Sequence, residues 1–169
     1  SGIKYDVMSP LFTERHVPST TLNDSNNYSN NDQDLINSLY TEFQKKSLNL
    51  DNALENKIYE YQKLNFKNKY SASELENILW TFKSLLNGST NANNRIDLAF
   101  DEWGNGNQNY AISLIENEIS YIYDRTPDYN LFDQKINDLK QIELEYLAQL
   151  EQTKQLEQTK QLESKNNAN

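Results

Sequence analysis

At 169 residues with a formal charge of −9 and a pI near 4.6, the chain has room for one domain, and it carries no basic stripe on which nucleic-acid or anionic-membrane binding would rest. The absence of cysteine excludes disulfides, iron–sulfur clusters, thiolate zinc sites and cysteine nucleophiles. Hydrophobic residues make up only 36%, so the core is lean and leans on 11 Tyr and 6 Phe, while 4 Gly and 3 Pro are too few to turn an all-β chain and argue for helices.

Residues 1–31 form the first expected element, an extended polar arm. Pro10 and Pro18 fall here, Ser, Thr and Asn dominate its second half, and "IKYDVMSPLF" is its one apolar piece. The chain opens with Ser1-Gly2 in place of an initiator methionine, which reads as a remnant of cloning or of leader removal. Localisation is therefore open, with an extracytoplasmic position among the expectations. No apolar run approaches the ~18–20 residues that span a bilayer, so no transmembrane segment is expected.

The expected body covers residues 32–150 as an antiparallel helical bundle of five to six helices. Leu35, Ile36, Leu39, Tyr40 and Phe43 give a first one-sided stripe, and Leu50, Leu54, Ile58, Tyr61 and Leu64 a second. Asp51 is positioned to cap a restart between them. Ser71 and Glu74 in "SASE" predict a capping box for a third helix, which Gly88 would end. A fourth carries Ile96, Phe100 and Trp103 and stops at Gly104. The fifth runs from Tyr110 to Tyr123 and ends before Pro127, and the sixth starts near Asp128.

Residues 151–169 form the tail. Its hexapeptide repeat "LEQTKQLEQTKQ" puts leucines at 150, 156 and 162. Six residues advance a helix by ~600°, so these leucines point ~120° apart and make no coiled-coil seam. Leu, Glu, Gln and Lys all favour helix, which predicts a long solvated helical extension.

The stretch "DEWGNGNQNY" is the candidate ligand or partner contact, through Trp103, Asn105, Asn107 and Tyr110, with Tyr121 and Tyr123 further along. As a calcium loop it fails: from Asp101, positions 3 and 12 are Trp103 and Ile112, neither an oxygen donor. A sugar clasp has its stacking ring and amides, yet asparagine is abundant along the whole chain. A turn explains more, with Gly104 ending one helix, Gly106 taking positive φ and Asn107 or Asn109 capping the next. "AFDEWGNGNQNYAISLIENEI" resembles the helix–turn–helix of a tetratricopeptide-type repeat through Gly106, Ala111 and Ile112 over about twenty residues. The resemblance implies one αα-hairpin; no 34-residue repeat recurs.

Catalytic chemistry finds little material. His16 is the one histidine, too few for a histidine-rich metal site or a di-metal carboxylate bundle, and phosphate-cradling glycine loops are absent. Paired carboxylates are the remaining option, Asp97 with Asp101, Asp101 with Glu102, or Glu116 and Glu118 with Asp124, though acidic pairs arise by chance in such a chain. The sequence therefore predicts no cofactor, no metal and no enzyme. It predicts instead a protein-binding or assembly protein docking on a larger partner. The alternatives are an acidic immunity-type inhibitor of a basic toxin and an extracytoplasmic surface-anchored binding module.

Overall fold

In the computed structural model, residues 30–168 are described, with side chains from Gln33 onward. They form four helices and no strand: α1 (Asn30–Gln62), α2 (Lys69–Gly104), α3 (Gln108–Asp124) and α4 (Tyr129–Asn167). The arm expected at residues 1–31 lies outside the described residues except for Asn30 and Asn31, which open α1.

All-α composition agrees with the sequence, but the described helices are four where five to six were expected, because two expected breaks do not occur. In α1 the buried residues Ile36, Phe43, Ser47, Leu50, Leu54, Ile58 and Tyr61 fall within roughly an 80° sector at ~100° per residue. The stripe stays in phase through "SLNLDN", so a break there would turn one half away from its core. Asp51 caps nothing and instead accepts a hydrogen bond from the Ser89 hydroxyl.

In α2 the break at Gly88 is missing for the same reason. Leu75, Ile78, Phe82, Ser89, Ala92, Ile96 and Ala99 continue one buried stripe past it. Gly88 makes room rather than a stop: a Cβ there would come within 3.0 Å of Arg125 Cδ. The capping box is also replaced. Asn68 caps α2, its side-chain oxygen accepting from the N–H of Tyr70 (2.9 Å) and Ser71 (3.2 Å). Ser71 is fully buried and its hydroxyl has no partner among the described residues, while Glu74 accepts from Asn77 Nδ2.

The described residues divide into two compact units. One comprises the chain up to Ile58 together with Phe82–Pro127; the other comprises Tyr59–Thr81 together with Asp128–Asn169.

In the first unit, contacts step backward along α1 as they step forward along α2. Asp51 meets Ser89, Tyr40 packs edge-on against Phe100 with ring centroids 5.1 Å apart, and Gln33 accepts from Trp103 Nε1 at 2.8 Å. The helices are therefore antiparallel. Between α2 and α3 the same reversal holds, with Arg95 on Glu118 and Gly88 beside Arg125. Glu118 is 1% exposed and receives Arg95 Nε at 2.6 Å and Nη2 at 3.0 Å, a two-pronged buried ion pair. Burial pushes the Glu118 carboxyl up, against the opposing pull of Arg95 and Arg125. Burial likewise lowers the Arg125 guanidinium, with Glu118, Asp51 and Asp124 pulling the other way.

In the second unit, Tyr61 at the end of α1 is fully buried and donates to Asp133 on α4 at 2.6 Å. Burial and the Asp133 carboxylate together raise its phenol well above the ordinary value. Beyond Tyr61, the buried Glu143 of α4 accepts from the backbone N–H of Lys67 (2.8 Å) and Asn68 (2.9 Å), seating a carboxylate at the start of α2. α4 then runs unbroken through both hexapeptides, and every residue at 147–168 is exposed. No helix among the described residues is long and apolar enough to cross a membrane.

Candidate functional site

The loop that follows α2 closes that helix by a Schellman arrangement. The N–H of Gly106 reaches the Trp103 carbonyl (3.1 Å) and that of Asn107 reaches the Glu102 carbonyl (2.9 Å), with Gly106 at φ 92°. Asn107 is the N-cap position of α3, but its side chain makes no capping bond; its amide donates to Glu102 instead. Gly104 and Gly106 thus do what the sequence assigned them. Nothing lies within 4 Å of a Cβ added at Gly106, so its substitution tests backbone conformation alone. Gly106→Ala is expected to destabilise the chain by about 1–2 kcal/mol, the usual cost of a left-handed non-glycine residue, as read from urea unfolding.

Around this turn the structure gathers four of the six expected contact residues and separates the other two. Trp103 is half-buried with its indole N–H held by Gln33, Asn105 and Asn107 are exposed, and Tyr110 is half-buried at the start of α3. Tyr121 and Tyr123 lie more than ten residues along α3, ~17 Å or more from Tyr110. Tyr121 is buried in the core of its unit, and Tyr123 is 82% exposed. The six therefore do not converge on one ligand.

The carboxylate pairs are placed as follows. Asp97 and Asp101 are both exposed, and Glu118 is turned inward onto Arg95. Among the described residues no three His, Cys, Asp or Glu side chains stand together as a metal-ligand set.

A second feature was not read from the sequence. In the second unit, α2 and α4 leave between them an open groove of about 360 Å³. α2 starts beside Glu143, yet its groove residues, from Tyr70 to Thr81, meet α4 only between Phe132 and Ile142, so the two helices run antiparallel. Ile78, Leu139 and Ile142 supply the apolar floor. Glu74, Asn77 and Thr81 stand on the α2 rim, Lys135 and Asp138 on the α4 rim. One turn on from Asn77, Trp80 is 71% exposed, pointing ~170° away from the buried stripe of Ser71, Leu75, Ile78 and Phe82. Its phase was the available signal: an indole at the polar, outward position of an amphipathic helix contributes nothing to the core behind it.

A smaller hollow of about 290 Å³ between α1 and α2 in the first unit is lined by Tyr40, Phe43, Ser47, Leu48, Asp51 and Asn93. No family model, curated protein or solved structure matches the chain.

Proposed function

We propose that the chain is a non-enzymatic interaction protein, an antiparallel helical bundle that docks on a larger protein partner through the α2/α4 groove. The observation that carries this reading is the groove itself. Over a buried floor of Ile78 and Leu139, Tyr70 is 58% exposed and Phe132 and Ile142 are half-buried, although the chain has few apolar residues to spare. Exposed aromatic anchors beside an apolar groove are the usual material of a protein interface. The end of α4, whose Leu150, Leu156 and Leu162 are exposed, fits a spacer or a secondary docking element.

Capture from a source lysate tests it, with three baits: the full chain, the chain truncated after Gln149, and the Asn77→Arg variant, whose long side chain enters the groove. A partner held by the full chain and lost with Asn77→Arg is the expected result. Equal recovery on both rejects the groove. Loss on truncation alone transfers docking to the tail.

The charge of −9 supports one rival reading, an acidic inhibitor that covers a basic toxin. In that case the on-rate for the partner falls steeply with salt; a salt-independent on-rate removes it.

A further inference from the structure

We infer that the occupant of the α2/α4 groove is a basic amphipathic helix of another protein. The inference rests on the interaction reading above and adds the chemistry of the partner.

Two carboxylates line the groove from opposite helices, Glu74 on α2 and Asp138 on α4, and among the described residues neither has an ion-pair partner. The one cation on the rims, Lys135, holds its ammonium 5.6 Å from the Phe132 ring centroid. Between the rims, over the buried Ile78 and Leu139, the exposed Tyr70 and the half-buried Phe132 and Ile142 supply the apolar surface that a partner can reach. A helix seated on that floor presents one apolar stripe downward and its flanking positions to both rims. Lysine or arginine at those flanks lays its methylene stem along Tyr70, Phe132 or Ile142 and brings its head to Glu74 or Asp138. Acidic flanks would instead meet Glu74 on one rim and Asp138 on the other, with Lys135 as the single counter-charge among the lining residues. The α2 residues concerned, 70–81, span ~16 Å, the length of about three helical turns.

The chain's own segments fit poorly. A second copy brings another −9 of charge, and the hexapeptide helix offers no stripe, since Leu150, Leu156 and Leu162 point ~120° apart. A helix from a different, basic chain meets both the charge and the shape.

The test uses the full chain and two synthetic helical peptides of about 15 residues, four turns, with the same leucine stripe, one flanked by lysines and one by glutamates. Affinity is measured by calorimetry and the site by amide chemical shifts. The lysine peptide is expected to bind, with shifts confined to residues 70–81 and 132–142. The double variant Glu74→Lys/Asp138→Lys should weaken it about tenfold or more, because two favourable charge contacts become repulsive. Glu151→Lys/Glu157→Lys makes the same change in net charge on the solvated tail and should leave the affinity within about twofold.

Equal weakening by both double variants would reduce the binding to general attraction and overturn the proposal. So would equal binding of the glutamate peptide, shifts outside the groove, or a concentration-dependent dimer that fills the groove with a second copy. If the lysine peptide fails while a lysate partner still depends on Asn77, the interaction reading stands and the basic-helix assignment falls. If both fail, the groove is not a docking site.

Discussion

Glu118→Ala is expected to cost about 3–5 kcal/mol, the largest loss from any single polar substitution in the first unit, because it takes the buried two-pronged carboxylate away from Arg95. The Arg95 side chain is 24% exposed against 1% for Glu118, so water reaches its guanidinium and the value falls toward the lower end. Equilibrium urea unfolding measures it. The double variant Arg95→Met/Glu118→Leu should recover most of the loss, since apolar groups of similar volume spare both desolvation costs. A double variant as unstable as Glu118→Ala would show that the site's shape, and not the charge on Arg95, sets the penalty.

The same pair carries a pH signature. Burial holds the Glu118 carboxyl above its ordinary value in the folded state, so the folded chain binds that proton more tightly than the unfolded one. The group's stabilising contribution is then fully present below the unfolded value of 4.5 and is lost as pH rises through the raised folded value. In Glu118→Gln that component of the pH dependence should vanish. An unchanged stability–pH slope between 4 and 7 would mean that Arg95 offsets the burial.

Glu143→Gln is expected to destabilise the second unit by about 1.5–3 kcal/mol, nearly as much as Glu143→Ala. The buried carboxylate takes two backbone N–H groups, of Lys67 and Asn68, one on each oxygen. An amide has only one oxygen, and its NH₂ faces a second donor, so one N–H loses its acceptor and the charge at the helix start disappears. Glu145→Gln, on an exposed residue of the same helix, is the control and should change stability by less than about 0.5 kcal/mol. Hydrogen exchange localises the effect, with Lys67 and Asn68 losing protection. Protection that survives in Glu143→Gln would refute this role for the carboxylate.

Much of this fold could be read from residues that act within one or two helical turns. Gly106 sits at positive φ because only a residue without Cβ adopts it cheaply, and Asp128 caps α4 by accepting from Leu131 three residues on. Pro127 follows the end of α3, and the leucines of the hexapeptide point apart whatever surrounds them. Such features follow from local geometry, and the sequence by itself determined them, together with the all-helical class.

The helix count was different. A glycine at 88 or an aspartate at 51 ends a helix only when the next stripe faces elsewhere. Phe82, Ser89 and Ala92 continue one face, as do Ser47, Leu50 and Leu54, so packing carried α2 and α1 straight through. The two buried glutamates were partly legible. Glu118 stands in phase with Ala111, Ile115 and Ile122, and Glu143 with Ile136 and Leu139, so each is a charge on an apolar stripe. Their partners lie 23 and 75–76 residues away, and no local pattern names them.

The candidate site belongs to the same class. An outward Trp80 is visible from helical phase alone, but the α2/α4 groove depends on which residues of α4 come to lie against α2. Helix identity, caps and turns were decided by interactions a few residues apart. Which carboxylate meets which cation, and which apolar face is left without a neighbour, were decided only when distant segments met, because burial and charge pairing depend on everything within a few ångströms and not on adjacency in the chain.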